Sequence, residues 1–243
     1  MTQIQSGDNN KEATVIDYSF DMVGPKALHM VFGDSTANLI PESVIPRPDT
    51  DKEAKLTDIG FSTHYGTVDG KVLPLYFNVT ADDKPEHNWV STYDCTLVAA
   101  SKYIQMDFIL PSDEIYGFGE RVHETKLTQG AWTMWNKNKQ PEADDGFGKG
   151  RQSYGTHPFL LYKNPATNKF GGVFFRNANN QAPIVVFSQN EKTKYISTNL
   201  SYITTGGQVE AYFFVDGTAE EIIMQYQKMF GMPSLPPFYS LGW

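Results

Sequence analysis

The sequence predicts an all-β fold, an antiparallel β-sandwich that carries one helix near its C-terminus. Runs of apolar and β-branched residues recur roughly every 10–15 residues between Gly, Pro and Asn turn signals. One of these runs, residues 103–110, alternates polar and apolar side chains, as a strand with one buried face does. Amphipathic helices do not separate the runs, which argues against a parallel α/β sheet.

The predicted domain organisation is a polar N-terminal arm, residues 1–26, followed by one β-sandwich domain, residues 27–232. Three prolines make residues 40–49 a connector, because proline lacks the amide proton that a sheet needs. Residues 111–157 are rich in Gly, Asn and Lys and are expected to be irregular. The predicted strands are residues 27–32, 71–80, 89–93, 95–100, 103–110, 158–162, 172–176, 183–187, 194–197 and 208–215.

One helix is predicted after Thr218. Thr218 and Glu221 have the spacing of a capping box, in which each side chain accepts a hydrogen bond from the other residue's backbone amide. Gly231 and Pro233 would end this helix, and a further apolar strand is predicted to begin at Pro236. The apolar positions of the helix share one face and are Ile222, Ile223, Tyr226, Met229 and Phe230.

Composition argues against several classes of function. The net charge of −8 would repel a phosphate backbone, so we expect no nucleic-acid partner. Cys95 is the single cysteine, which rules out an intramolecular disulfide and a multi-cysteine zinc site. The five histidines have no metal-ligand spacing, and we expect neither a metal nor a cofactor. No apolar run reaches the roughly 20 residues of a membrane helix, so we expect no membrane span.

An aromatic loop, residues 132–141, is the strongest candidate for a binding site. It places Trp132 and Trp135 beside Asn and Lys residues. Flat rings contact the C–H faces of sugars and amides hydrogen-bond sugar hydroxyl groups, so this composition suits a sugar site. The alternative is that both tryptophans anchor a long loop in the core. A Gly-rich stretch, residues 144–153, lacks the residue spacing of a phosphate-binding loop.

Several sequence strings in a fixed order resemble glycoside hydrolase family 31, a family of α-glucosidases. A YGxGE string is matched at residues 116–120, a YGxHPF string at 154–159 and a GVFxxN string at 172–177. Residues 205–242 resemble a longer tail pattern of the family that ends in LPPxxxLG. The resemblance is good from about residue 90 onward and implies that the sandwich is galactose-mutarotase-like.

The resemblance also implies how the chain would function. In the family, the tail opens the first strand of a catalytic (β/α)8 barrel, here residues 233–243. Both aspartates of the retaining mechanism lie on that barrel, so no catalytic residue is expected in this sequence. The chain would then support a barrel, on the same or another polypeptide, that acts on an α-glucoside oligosaccharide or glycan. The alternative is a stand-alone, non-catalytic carbohydrate-binding or structural subunit.

The family's sandwich contributes one loop to the active site, and an aspartate of that loop hydrogen-bonds the sugar. Aligning the loop on this sequence puts Asn138 at the aspartate position, and Trp135 and Asn136 complete the predicted substrate-binding set. An amide still bonds sugar hydroxyls but lacks the charge of a carboxylate. Altered specificity, replacement by Asp144 or Asp145, or loss of the site would each account for this departure.

The cellular location is left open by the sequence. Most enzymes of the resembled family are secretory, lysosomal or luminal in the endoplasmic reticulum, whereas this N-terminus has no signal-peptide pattern. Two glycosylation sequons, at Asn78 and Asn199, would be used only along a secretory route.

Overall fold

Two antiparallel sheets lie face to face in the computed structural model, which describes residues 2–6, 14–34, 40–68, 71–81, 87–100, 102–136 and 152–242. The strands are β1 (Thr2–Ser6), β2 (Thr14–Gly24), β3 (Ala27–Asp34), β4 (Phe61–Val68), β5 (Lys71–Thr80), β6 (Asn88–Ser91), β7 (Leu97–Ala100), β8 (Tyr103–Leu110), β9 (Ile115–Arg121), β10 (Gly130–Ala131), β11 (Gln152–Asn164), β12 (Lys169–Phe175), β13 (Ile184–Gln189), β14 (Ile196–Thr204) and β15 (Gln208–Gly217). The predicted fold class, an antiparallel sandwich with one helix, is confirmed.

The first sheet has the strand order β1-β2-β3-β15-β12-β11-β9 in the described part of the chain. The second sheet has the order β10-β13-β14-β8-β6-β5-β4, with β7 paired to β8 beside this path. Strands distant in sequence, such as β3 and β15, are neighbours in space. The fold therefore depends on long-range pairing.

Aromatic side chains fill the space between the two sheets. Phe108 of the second sheet lies 5.6 Å from Phe213 of the first, measured between ring centroids. Phe175 and Tyr202 stack across the same layer at 3.9 Å. β15 is buried on both faces, because its inner residues meet this core and its outer residues are covered by a helix.

That helix, α1 (Ala219–Phe230), is the predicted one, and its capping box is present. Thr218 N donates to Glu221 Oε2 at 2.8 Å and Glu221 N donates to Thr218 Oγ1 at 3.2 Å. Ile222 is fully buried on the first sheet, whereas Ile223 is 38% exposed. The face that the helix buries is therefore narrower than predicted. Gly172 makes this close packing possible, since an added Cβ would lie 2.8 Å from Ile222 Cγ2.

The N-terminal arm predicted for residues 1–26 differs from the structure. Thr14–Gly24 is a long strand of the first sheet, and Thr2–Ser6 pairs with it. Tyr18 and Met22 of this strand point into the core and are almost fully buried. In the described part of this strand, the polar residues Ser19 and Asp21 alternate with Tyr18, Phe20 and Met22, which pack in the core. Residues 7–13 lie outside the described residues.

Strands β4 and β9 were not predicted. β9 lies inside the stretch expected to be irregular, where Gly117 and Gly119 suggest a loop. Gly117 has a φ of +141° and an added Cβ would lie 2.2 Å from Phe159 O. Position 117 requires glycine, because β9 approaches the backbone of β11 closely at this point. This approach joins distant segments and cannot be read from the sequence.

The apolar strand predicted from Pro236 is wrong, because residues Phe238–Leu241 form a short 3-10 helix. Ser240 closes this turn locally: its backbone N and its Oγ both donate to Pro237 O, at 2.9 and 2.7 Å. No described strand pairs with the segment, and Leu235 and Phe238 are 94% and 90% exposed.

Candidate functional site

A cleft of about 460 Å³ opens at one end of the sandwich, beside α1. We call this space the cleft and define it by three walls. Residues 134–136 of the aromatic loop form one wall, Tyr226 and Phe230 of α1 form the second, and the start of the connector, residues 40–45, forms the third. Asn177 and its neighbours lie at the back.

The aromatic loop is anchored by Trp132, which is fully buried. Its Nε1 donates to Thr128 O at 2.9 Å and its backbone N donates to Pro183 O at 2.7 Å. The Arg121 guanidinium lies over the indole ring, 5.6 Å from its centroid. Trp132 therefore anchors the aromatic loop in the core, as the alternative interpretation of the sequence proposed.

Trp135 behaves differently from Trp132. Its side chain is 51% exposed and lines the cleft together with Asn136, which is also exposed. The third predicted residue, Asn138, lies outside the described residues, as do Asp144 and Asp145. The structure thus brings two of the three predicted residues to one cleft, and the role of all three stays a prediction.

The residues of the YGxGE and YGxHPF strings hold the aromatic loop in place. Glu120 Oε2 accepts a hydrogen bond from Gly155 N at 2.9 Å, which joins the two strings. Gln152 accepts from the backbone N of Trp135 and donates to Gly155 O. These side chains position Trp135 at the mouth of the cleft.

His157 connects the loop side of the cleft to α1. Its Nε2 lies 3.1 Å from the Tyr226 hydroxyl, and its ring stacks on Phe159. The neighbouring rings of Phe159 and Tyr226 partly exclude water from the imidazole, and this desolvation lowers the pKa of His157 below its ordinary value although the residue is open to solvent on one side. A neutral imidazole at neutral pH suits a contact that holds the helix against the sheet.

An amide network supports the back of the cleft. Asn177 Nδ2 donates to Gly206 O at 3.0 Å and to Gln208 O at 2.8 Å. Asn177 Oδ1 accepts from the backbone N of Asn179 at 2.7 Å. Gln181 Nε2 donates to Asn177 O, and the backbone of Gln181 pairs with Met134 of the aromatic loop. Asn177, the last residue of the GVFxxN string, therefore holds both residues 206–208 and the backbone of Asn179 in place.

The connector is held by a buried arginine that sequence analysis did not single out. Arg176 Nη2 donates to Ile40 O at 2.7 Å and to Ile45 O at 2.6 Å. Arg176 Nη1 donates to Glu210 Oε2 at 3.0 Å, and Arg47 Nε donates to Glu210 Oε1 at 2.9 Å. The side chains of Arg176 and Glu210 are 0% and 2% exposed, so the charges compensate each other away from water.

Burial alone would raise the pKa of Glu210, but its partners reverse that effect. His29 Nε2 lies 3.3 Å from Glu210 Oε1, and contacts with His29 and Arg47 and the charge of Arg176 hold the pKa well below its usual range. A glutamate inside the apolar run of β15 was the available signal for this cluster. Its partners lie on other strands and could not be read from the sequence.

The described side chains of the cleft can make aromatic contacts and hydrogen bonds. Its described lining consists of aromatic, aliphatic and amide side chains and a histidine, without a carboxylate pair. Within the described ranges, no group of three or more potential ligands could hold a metal ion. In the same part of the chain, no helix is long and apolar enough to cross a membrane.

Comparison with known proteins agrees with the resemblance in the sequence. A family model described as the glycosyl hydrolase 31 N-terminal galactose mutarotase-like domain matches residues 41–181. Probable maltase-glucoamylase 2 from Homo sapiens is 30% identical over 190 residues, which is 73% of this chain and 7% of that protein. Probable alpha/beta-glucosidase from Arthroderma benhamiae is 28% identical over 225 residues, 88% of this chain and 24% of that protein.

Solved structures share the fold at low sequence identity. A chain in the crystal structure of the ER glucosidase II heterodimeric complex gives a TM-score of 0.69 at 14% identity, covering 97% of this chain and 33% of that one. A GH31 dextranase from Flavobacterium johnsoniae complexed with glucose gives 0.59 at 17% identity, covering 100% and 29%. This chain spans less than a quarter of the length of the two sequence relatives named above.

Proposed function

Because the chain belongs to the glycosyl hydrolase 31 N-terminal galactose mutarotase-like domain family, we propose that it is the supporting sandwich of an α-glucosidase-like enzyme. In this proposal, residues 233–243 begin a catalytic barrel, and the barrel supplies both catalytic carboxylates. The sandwich stabilises the barrel and contributes Trp135, Asn136 and Asn138 to the pocket for an α-glucoside oligosaccharide or glycan.

A set of exposed apolar side chains on α1 and the segment that follows it is the observation that carries the proposal. We call it the apolar patch: Ile223, Met224, Met232, Leu235, Phe238, Tyr239 and Leu241, which are 38–94% exposed. Leaving so many large apolar side chains in water is unfavourable, and exposed apolar side chains in such number mark surfaces that a partner covers. A barrel that begins at residues 233–243 would lie directly against the apolar patch.

The position of Trp135 also supports the proposal. It is half exposed at the mouth of the cleft, on the same end of the sandwich as α1. A barrel covering the patch next to α1 would bring its substrate face towards this ring. The alternative, a stand-alone subunit, leaves both Trp135 and the apolar patch exposed to water.

The proposal is tested on the protein isolated from its natural source with an antibody against this chain. We expect the captured material to contain a catalytic barrel, either on a polypeptide heavier than 27.3 kDa or on a second chain, and to hydrolyse 4-nitrophenyl α-glucoside. A lone 27.3 kDa chain without hydrolysis would refute the proposal in favour of the stand-alone subunit.

Variants of the barrel-containing enzyme test the contacts themselves. Phe238→Glu places a charge in the apolar patch and should lower the thermal stability of the enzyme, whereas Val98→Glu, at an exposed position of β7, should not. Trp135→Ala and Asn138→Ala should each weaken binding of an iminosugar inhibitor by roughly 2- to 13-fold. Unchanged inhibitor affinity in both variants would place the loop outside the pocket.

A further inference from the structure

A second and larger concavity lies on the other sheet, away from α1. It has a volume of about 790 Å³ and crosses the outer face of the second sheet from β4 to β13. We call it the groove. Its floor includes Asn78 and Ser91, one side carries His64 and Tyr93, and the opposite side is the β13–β14 hairpin with Tyr195. The groove and the cleft share no lining residue.

The described lining of the groove contains no aspartate, glutamate, lysine or arginine. This is unusual for the solvent side of an antiparallel sheet in a chain of net charge −8, where charged residues are expected. A phosphate, a carboxylate or a nucleic acid would need lysine or arginine partners, and the described lining of the groove contains neither. The groove therefore suits a polar ligand that carries no charge.

Hydrogen-bonding groups in the groove are present in excess of their protein partners. Ser91 Oγ donates to Asn78 Oδ1, and no described residue accepts from Asn78 Nδ2. Within the described chain, the side chains of Ser62, Asn88 and Ser197 also make no protein hydrogen bond, although Asn88 and Ser197 are half-buried. These amides and hydroxyls can pair with a ligand rich in hydroxyl groups.

Aromatic rings stand at the side of the groove. Tyr93 is 55% exposed and contacts the His64 ring edge-on at 5.3 Å and the Tyr76 ring at 6.0 Å, between centroids. Tyr195 is half-buried on the opposite side. Rings held by other rings offer flat faces at a small cost in side-chain entropy, which suits contact with the C–H faces of sugar rings.

We propose that the groove is a binding site for a neutral oligosaccharide, separate from the cleft. Its volume lies within the range of pockets that enclose a small ligand, roughly 300–1,000 Å³. Tyr93 and Tyr195 contact the sugar rings, and Asn78, Asn88 and the serines bond the hydroxyl groups. The site would hold a glycan on the outer face of the second sheet.

The test uses the full 243-residue chain from a host without N-glycosylation, since a glycan on Asn78 of the Asn78-Val79-Thr80 sequon would occupy the groove. The chain is titrated calorimetrically with maltotetraose, isomaltotetraose, cellotetraose and mannotetraose, and with tetragalacturonate as the charged counterpart. We expect at least one neutral tetrasaccharide to bind, and more tightly than tetragalacturonate. Absence of binding by all four, or tighter binding of tetragalacturonate, would overturn the proposal.

Variants locate the bound sugar. Tyr93→Ala and Tyr195→Ala should each weaken binding about fivefold to tenfold. Asn78→Ala, which removes the amide, should weaken it roughly 2- to 13-fold. Tyr103→Ala is the matched control, because Tyr103 is exposed on the same sheet outside the groove lining. Binding that survives the three groove variants but is lost in Trp135→Ala would assign the sugar to the cleft instead.

Discussion

The cleft and the groove are two concavities on one sandwich, and they are built differently. The cleft is lined mainly by aromatic and aliphatic side chains and is backed by a charge cluster in which Arg176 and Glu210 are buried and Arg47 is half-buried. The groove is lined by hydroxyls, amides and exposed rings, without acids, lysines or arginines among its described residues. The helix α1 forms one wall of the cleft and also carries two residues of the apolar patch, whereas the groove opens on the second sheet.

The two concavities suit two different roles, one as a surface covered by another domain and one as a surface that binds a soluble ligand. A surface that another domain covers needs apolar contacts and a rigid backing, because every polar group it buries must be paired. A surface that exchanges water for a soluble ligand needs unpaired hydrogen-bonding groups in reach of solvent. Changes behind the cleft should therefore alter stability, and changes in the groove should alter affinity alone.

The largest expected effect is at Arg176. Arg176→Met leaves the buried Glu210 carboxylate short of a partner and frees the carbonyls of the connector, so the free energy of unfolding should fall by about 3–5 kcal/mol. Urea denaturation measures this loss. The control is Lys126→Met, which removes a half-exposed pair with Asp113 and should cost under about 1 kcal/mol. Equal effects for the two variants would mean that the cluster does not hold the cleft.

Helix packing gives the next largest effect. Gly172→Ala would place a Cβ 2.8 Å from Ile222 Cγ2 and push α1 from the first sheet, at a cost of about 1–3 kcal/mol. Thermal unfolding measures the loss. Affinity of the groove for its tetrasaccharide should stay unchanged, because α1 contributes nothing to it. A parallel loss of affinity would show that the two concavities are coupled.

A pH dependence should distinguish the charged backing of the cleft from the groove. The folded pKa of Glu210 lies below its unfolded value of 4.5, so its contribution is complete above pH 4.5 and declines as the pH falls below that value. Glu210→Gln should reduce the slope of stability against pH below 4.5 by up to about 1.4 kcal/mol per pH unit. Urea denaturation between pH 3 and 6 measures this slope, and an identical slope in the variant would contradict the assignment.

The smallest effect is expected at Trp135. Trp135→Ala removes a half-exposed ring and should change the free energy of unfolding by less than about 0.5 kcal/mol. Trp132→Ala, three positions earlier, removes a fully buried ring and should cost about 3–5 kcal/mol. Thermal unfolding of the two variants makes the comparison. A large loss for Trp135→Ala would mean that this ring is a core anchor too.

Sequence patterns predicted those parts of the fold that depend on interactions between residues close in sequence. The alternation in β8 and the capping box at Thr218 depend on neighbours in sequence, and both are confirmed. The strand predicted after Pro236 failed because pairing requires a partner, and no described strand lies beside that segment. β9 was missed because Gly117 is required by contact with β11, a distant segment.

The candidate sites show the same limit: residues adjacent in sequence could be predicted, and residues that only the fold brings together could not. The aromatic loop was found because its residues are adjacent in sequence, yet Trp132 and Trp135 could not be told apart, since burial depends on pairing with Pro183. The groove was missed because its residues lie on several strands, with no motif joining them. The place of Asn138 stays a prediction.

The hydrogen bonds from Arg176 to the connector can form only late during synthesis of the chain. Its guanidinium bonds carbonyls 131 and 136 positions earlier in the chain. At ordinary rates of synthesis, roughly 7 to 26 s separate the emergence of Ile45 from that of Arg176. Hairpins such as β4–β5 need no such interval, because their partners are close in sequence. During translation the carbonyls of Ile40 and Ile45 therefore wait for their Arg176 partner until well after strands β4 to β8 have been synthesised.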